Sequence, residues 1–401
     1  MKQKKRKKWV CFRHRVVRNL LVPVFKVYCR ICFGVKIDRF AQQGDRQYLV
    51  MMNHQTSADQ FFVSMTFRKH VYYIATEDIF SLGWISKVLR YVVAPIPIKK
   101  QTTDLQAVKN CIQVVKEGGT IALAPEGNRT YSGKTEYIKP SIVKLARALK
   151  LPVAIFRIEG GYGVQPRWCD GTRRGRMHAY VSRVIEPEEY GALSDEEFIT
   201  LIREELYVNE AVADACYTGG KLAEYLERAV YVCPDCGLTV FESHGDIITC
   251  KTCGKQVRYL PSKELVGING AFPFRFVNDW YEYQADFVRK LSLEPFYETP
   301  MYCDIARLSQ VHLYQYKELL EKETEIRLYG NRVEIGTDLV LPFDVISAVS
   351  VLGRNKLNIY FEDKVYQLKG GKRFNALKYV NIYYHYKNIN EGREDGKFLG
   401  L

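Results

Sequence analysis

Tyr48-Leu-Val-Met-Met-Asn53-His54-Gln-Thr-Ser-Ala-Asp59 reads as a short buried strand, a polar turn and the first turn of a helix. His54 and Asp59 are five residues apart. On one continuous helix that spacing sets side chains about 140° apart, so the two could not meet. With His54 on the turn and Asp59 in the helix's first turn, the carboxylate can fold back onto the imidazole. A carboxylate on Nδ1 fixes the tautomer and leaves Nε2 as a base toward a hydroxyl. The bland alternative is a His that caps a helix beside an Asp that complements its dipole.

Outward from this stretch, residues 38–202 alternate strand and helix. Expected strands are Leu49–Met52, Val71–Ala75, Val92–Ile98, Thr120–Ala124 and Val153–Ile158. Expected helices lie near Asp59–Arg68, Asp78–Arg90, Asp104–Lys116 and Lys139–Leu149. Uninterrupted apolar strands between amphipathic helices indicate an α/β layer structure with its sheet covered on both faces.

The net charge of +14 is unevenly placed, because residues 1–39 hold thirteen Lys or Arg against the single acid Asp38. A basic arm of this kind seeks a polyanion, either nucleic acid or an anionic membrane surface. After Lys2–Lys8, the residues Trp9, Phe12, Val16, Leu20, Val24, Val27 and Ile31 recur every three or four positions, with Arg15, Arg18 and Lys26 opposite. That is the pattern of an amphipathic helix lying on a bilayer. Arg13 intrudes on the apolar face, and Pro23 is expected to kink the helix or split it. No run reaches the roughly 18 apolar residues of a membrane span, and arginines break any signal-peptide pattern. The eleven cysteines follow no secreted disulfide spacing, which suits a reducing compartment. Cys29 and Cys32 form a lone two-cysteine knuckle, read as core or membrane-facing.

Beyond a helical connector, Cys233-Pro-Asp-Cys236-Gly and Cys250-Lys-Thr-Cys253-Gly are separated by thirteen residues. Paired thiolates from two tight turns close a tetrahedron around Zn²⁺, and each Gly permits positive φ. Four Cys ligands leave no open position, so this zinc ribbon is expected to be structural, with Cys233, Cys236, Cys250 and Cys253 as ligands. His244 reads as a turn residue. From Met301 the chain changes to short β runs at Glu325–Tyr329, Arg332–Ile335, Val345–Val351, Leu357–Phe361 and Val365–Leu368. A helix at Asn375–Lys387 closes it. Antiparallel strands closed by one helix are similar to a pleckstrin-homology-like domain. The expected organisation is 1–37 membrane-association helices, 38–205 a catalytic α/β domain, 206–228 a helical connector, 229–262 the ribbon, 263–300 a helical linker and 301–401 the β-rich domain.

The strand Thr120–Ala124 runs into Pro125-Glu126-Gly127-Asn128-Arg129-Thr130, and another strand ends at Ile98-Lys99-Lys100. Strand ends in α/β proteins deliver residues into a ligand crevice. There Gly127 allows a close-approach backbone, and Arg129 presents a planar fork suited to phosphate. The competing reading for each is an ordinary solvated turn.

Taken in order, these motifs resemble the glycerophospholipid acyltransferases, especially the lysophosphatidic acid (1-acylglycerol-3-phosphate) acyltransferases, over roughly residues 15–205. The family's Asn-His-x4-Asp stands as Asn53-His54-Gln-Thr-Ser-Ala-Asp59, and its Pro-Glu-Gly-Thr-Arg as Pro125-Glu126-Gly127-Asn128-Arg129. Its basic second motif is Ile98-Lys99-Lys100, and its apolar fourth is Leu151-Pro152-Val153-Ala-Ile-Phe156. The departures fall on the acceptor side: Asn128 for Thr, Lys99-Lys100 for Asp-Arg, and a missing second Pro in the last motif.

The resemblance implies acyl transfer from acyl-CoA or acyl carrier protein to a lysophospholipid hydroxyl, with His54 as general base and Asp59 orienting it. It implies no catalytic cofactor and no acyl-enzyme. Lys99, Lys100, Glu126, Gly127, Asn128, Arg129 and Thr130 would bind substrate, and Glu126 would order the loop or touch the glycerol. Backbone N–H groups at Asn53–Thr56 or the helix N-terminus are candidate oxyanion donors. The expected setting is the cytoplasmic face of a membrane, with a protein partner for the ribbon or C-terminal domain left open. Competing readings are acylation of glycerol-3-phosphate or another lysolipid and, from a different class, a zinc-ribbon nucleic-acid binder or a lipid-binding scaffold.

Overall fold

In the computed structural model, residues 8–98, 104–312, 315–391 and 398–400 are described. Leu49–Met52 is β2, the middle strand of a seven-stranded sheet ordered β1-β7-β6-β2-β5-β3-β4. The others are β1 (Val35–Ile37), β3 (Val71–Thr76), β4 (Ile96–Ile98), β5 (Thr120–Leu123), β6 (Val153–Glu159) and β7 (Met177–Ile185). All four residues of β2 are buried, as expected of an uninterrupted apolar run covered on both faces.

Strands β6, β2, β5, β3 and β4 are mutually parallel, and β7 runs antiparallel to β6. The sheet is therefore mixed, with the carboxyl ends of five strands along one edge. Helices α1 (Phe12–Phe33), α2 (Asp59–Thr66), α3 (Trp84–Val92), α4 (Leu105–Lys116), α5 (Ser141–Leu149) and α6 (Asp195–Leu206) flank it. Asp104 caps α4 by accepting the N–H of Ala107, and Ser194 with Glu197 forms a capping box on α6.

The expected helix at 78–90 is instead a 3₁₀ turn, Glu77–Ser81, then α3, because Gly83 breaks the run at φ 62°. The expected strand Val92–Ile98 shrinks to β4, since α3 reaches Val92 and Ala94 takes φ 46°. Pro23 does not split α1. It lies inside one helix, where both it and Asn19, whose carbonyl loses its N–H partner, face solvent. Arg18 does not join a solvated polar face either. It donates to the carbonyls of Ser64 and Phe67, which the end of α2 leaves without helical partners. Cys29 is buried, and burial pushes its thiol up to about 12.

By compactness the chain forms two units, the first comprising 1–129, 135–161 and 176–208, the second 130–134, 162–175 and 209–401. In the second, β8 (Val232–Cys233) pairs with β9 (Gly237–Leu238), and β10 (Phe241–His244), β11 (Ile247–Cys250), β12 (Gln256–Tyr259) and β13 (Leu265–Gly267) form an antiparallel sheet. His244 ends β10 at the turn. The 206–228 connector is not α-helical beyond α6, and it ends in a 3₁₀ turn at Leu226–Arg228. After residue 208 it is mostly irregular, with Tyr217 N–H donating to Pro261 O and Thr218 bridging Arg174. Nor is 263–300 a mere linker, because its helix α7 (Val277–Lys290) belongs to the core. Trp280 there is fully buried, donates to Val232 O at 2.8 Å and meets the rings of Phe241 and Phe272.

The segment 162–175 is held in this unit by buried cations. Arg228 donates to Trp168 O and Asp170, while the Arg173 guanidinium stacks on Trp168 and Tyr259. From Tyr302 a second seven-stranded sheet, wholly antiparallel, is ordered β17-β16-β15-β14-β20-β19-β18. It contains two strands that the sequence reading missed, β14 (Tyr302–Gln310) and β17 (Leu339–Pro342), besides β15 (Glu318–Leu328), β16 (Arg332–Ile335), β18 (Ile346–Leu352), β19 (Lys356–Phe361) and β20 (Lys364–Gly370). The last helix, α8 (Leu377–Glu391), is buried all round over 377–386 rather than along one face.

Candidate active site

The polar turn after β2 sits between the ends of its neighbours β5 and β6. Asn53 fixes it to β6: its Oδ1 accepts the Ile158 N–H and its Nδ2 donates to Ile158 O, both at 2.8 Å. A side-chain amide thus continues the pairing that backbone amides make within the sheet. The His54 N–H donates to Glu126 Oε1 at 2.8 Å, which ties the turn to the loop after β5.

Asp59, in the first turn of α2, folds back as the spacing allows. Its Oδ2 accepts His54 Nδ1–H and the Gln55 N–H, each at 2.8 Å, and its Oδ1 accepts the Thr56 N–H at 2.9 Å and hydroxyl at 2.6 Å. This carboxylate is fully buried, whereas the His54 side chain is 26% exposed. Four donors fix Asp59 in place, and its bond to Nδ1 keeps the ring in one tautomer. Among the described residues His54 Nε2 has no hydrogen-bond partner.

Glu126 has both oxygens occupied, the second by the Glu136 N–H at 2.8 Å. Burial pushes its carboxyl up to about 8, against the pull of those two N–H donors. Those two bonds order the loop after β5. Gly127 takes φ 69°, a left-handed turn conformation that a side chain would strain. Asn128 is buried, and the Arg129 Nε donates to Gln55 O at 3.2 Å, one residue from His54.

Thr130 opens the 130–134 segment of the second unit, where its hydroxyl accepts the Gly133 N–H. Lys99 and Lys100 lie outside the described residues, just past the end of β4. Of the expected oxyanion donors, the N–H groups of His54, Gln55 and Thr56 serve carboxylates. Thr56 and Asn53 were not singled out as anchors. Thr56 was findable, lying three residues before Asp59, the reach of a local side-chain turn. Asn53 was not, because its partner is 105 residues away.

In the second unit the sulfurs of Cys233, Cys236, Cys250 and Cys253 lie within 4.8 Å of one another. Two of the separations are 3.7 and 3.5 Å, close to the roughly 3.8 Å edge of a tetrahedron with Zn–S bonds of about 2.3 Å. Gly237 and Gly254, each following the second Cys of its knuckle, take φ 75° and 74°. These four thiols could hold one metal ion with no position left over.

Residues 34–159 match the model of a family described as Acyltransferase. Over 154 residues the chain is 23% identical to the chloroplastic 1-acyl-sn-glycerol-3-phosphate acyltransferase BAT2 of Brassica napus, spanning 38% of this chain and 43% of that protein. It is 20% identical over 183 residues to the 1-acyl-sn-glycerol-3-phosphate acyltransferase of Bacillus subtilis (strain 168), 45% of this chain and 88% of the relative. The crystal structure of the 1-acyl-sn-glycerophosphate (LPA) acyltransferase PlsC from Thermotoga maritima aligns with TM-score 0.40 and 21% identity. That alignment covers 47% of this chain and 78% of that one.

Proposed function

Residues 34–159 form an acyltransferase-family domain, and from that premise we propose that this chain transfers an acyl group from a thioester to the hydroxyl of a lysophospholipid, 1-acylglycerol-3-phosphate first among them. The single observation that carries the reading is the 2.8 Å contact between His54 Nδ1 and Asp59 Oδ2, with Nε2 left without a partner among the described residues. A thioester is already activated, so catalysis chiefly needs a deprotonated alcohol. His54 Nε2 takes the hydroxyl proton as the oxygen attacks the thioester carbonyl, then returns it toward the departing thiolate. Asp59 supports the transient imidazolium, and the substrate supplies the hydroxyl that a Ser-His-Asp triad would supply itself. We assign the acceptor's phosphate to the Arg129 guanidinium, whose Nε donates to Gln55 O one residue from His54.

The acceptor and product are lipids, so a bilayer location spares them a passage through water. α1 favours that setting, since Phe12, Leu20, Val24, Val27 and Ile31 form an exposed apolar stripe. No helix among the described residues is long and apolar enough to cross a membrane. We place the protein on the cytoplasmic, reducing side, where the four-cysteine cluster holds a structural Zn²⁺ as a ribbon. We read the antiparallel sheet closed by α8 as pleckstrin-homology-like, on its strand order.

An acylation assay with labelled 1-acylglycerol-3-phosphate, run with acyl-CoA and with acyl carrier protein, tests the reaction. Product that forms with wild type and is lost in His54→Ala is the expected result. No product with either donor, or equal turnover by the variant, would end this assignment.

A further inference from the structure

The apolar surface that the first unit leaves exposed is not confined to α1. On α3, Trp84 and Tyr91 are each 64% exposed, and Ile85 and Val88 beside them are exposed as well. At 3.6 residues per turn, Trp84, Val88 and Tyr91 fall within an arc of about 60°. Ser86, on the opposite side, is the buried residue, and its hydroxyl donates to Ile79 O. The helix therefore turns a polar residue inward and its aromatic and branched residues outward, the reverse of a helix on a soluble domain.

Soluble surfaces rarely leave such a patch uncovered, and two features indicate what covers it. First, α3 adjoins α1: Arg13 Nε donates to Tyr91 O at 2.9 Å, and its guanidinium lies 4.3 Å over the Tyr91 ring. Second, the charge has one sign. Helix α1 carries Arg13, Arg15, Arg18, Lys26 and Arg30, α3 carries Lys87 and Arg90, and neither contains Asp or Glu. Cations rimming outward Trp, Tyr and Val suit a partner with an apolar interior beneath negative headgroups. Trp and Tyr are also the side chains that settle at a bilayer's interface.

We propose that α3 is a second membrane-inserting element, its Trp84–Val88–Tyr91 face entering the headgroup–acyl boundary of an anionic bilayer beside α1. The inference rests on the reading of α1 as a membrane-surface helix and adds to it. A single helix could roll or lift, but two adjoining ones fix the orientation of the domain on the membrane.

The test uses the full chain and vesicles of phosphatidylcholine with about 30 mol% phosphatidylglycerol, an anionic surface, whose acyl chains carry bromine. The protein has four tryptophans; Trp168 and Trp280 are fully buried, and Trp9 is partly buried against the core of the first unit, not on the outer stripe of α1. Brominated chains should quench wild-type emission, and Trp84→Phe should remove most of that quenching while the protein still binds. Ile85→Asp with Val88→Asp should weaken vesicle affinity by about tenfold or more, the scale of two lost apolar anchors.

If wild type binds no vesicles, the reading of α1 and this inference fall together. If it binds, yet quenching does not depend on Trp84 and the double variant keeps full affinity, only the role of α3 is overturned. A dimer that the double variant dissociates, with vesicle affinity unchanged, would overturn it in favour of a second copy of the chain.

Discussion

The His54–Asp59 corner and the four-cysteine cluster follow opposite rules of assembly. At the corner, local N–H and O–H donors surround one buried carboxylate, and the ring it holds keeps one nitrogen without a partner among the described residues and a quarter of its surface open. In the cluster, four sulfurs converge within 4.8 Å and each faces the other three. A group meant to react must keep an unmet bond, whereas a group meant to hold a fold satisfies every one. Damage to the two should therefore separate activity from stability.

The largest effect is expected at the cluster. Cys250→Ser, or a strong chelator, should cost several kcal/mol. At about 2–4 °C per kcal/mol, that lowers the melting of the second unit by roughly 10 °C. Scanning calorimetry reads the melting, and native mass spectrometry reads one metal per chain before and none after. Unchanged melting on chelation would erase the contrast. His54→Ala should do the reverse, with kcat down at least about a hundredfold and melting hardly moved. A variant that melts early but retains turnover would make the corner a structural device.

Both constellations were legible because each is local. His54-x4-Asp59 and two Cys-x-x-Cys-Gly knuckles put the interacting atoms within one or two turns of chain, where spacing alone constrains geometry. Most strands of the first sheet were legible as apolar runs, but its β7 was not, nor was β14 of the antiparallel seven-stranded sheet, since half-buried strands paired on both sides carry mixed patterns. The clasp of Asn53 on Ile158 depends on which strands become neighbours, and that is not written in either segment. The same holds for Arg18, read as a solvated cation but used to satisfy the end of α2. The assignment of 162–175 to the second unit rests on Arg228, more than fifty residues later.

Smaller perturbations sharpen the picture of the corner. Arg129→Ala should raise KM for the phosphate-bearing acceptor by about tenfold or more, the scale of a lost charge-assisted contact, and leave KM for the thioester near its starting value. Equal changes in both would place the guanidinium in the loop's architecture alone. Thr56→Val keeps the volume but removes the 2.6 Å hydroxyl contact to Asp59. A bond to a charged group is worth about 1.5–3 kcal/mol, so kcat should fall by roughly tenfold. Thr56→Ser should restore most of it. If serine rescues nothing, the methyl group and not the hydroxyl does the positioning.

The subtlest effect belongs to Glu126, which links the corner to the loop after β5. Burial raises its carboxyl from the ordinary 4.5 to about 8, so the folded chain holds this proton more tightly than the unfolded one. Its stabilising contribution is then complete below about pH 4.5 and is lost as pH rises toward about 8, because the unfolded chain gives up the proton first. Glu126→Gln keeps the shape and removes the titration, so the first unit's melting should lose that downward slope while wild type keeps it. The two N–H donors from His54 and Glu136 favour the charged form and work against burial. A wild-type protein that grows more stable across the same window would mean that these donors outweigh burial. Glu126 would then hold the His54 turn as a carboxylate at neutral pH.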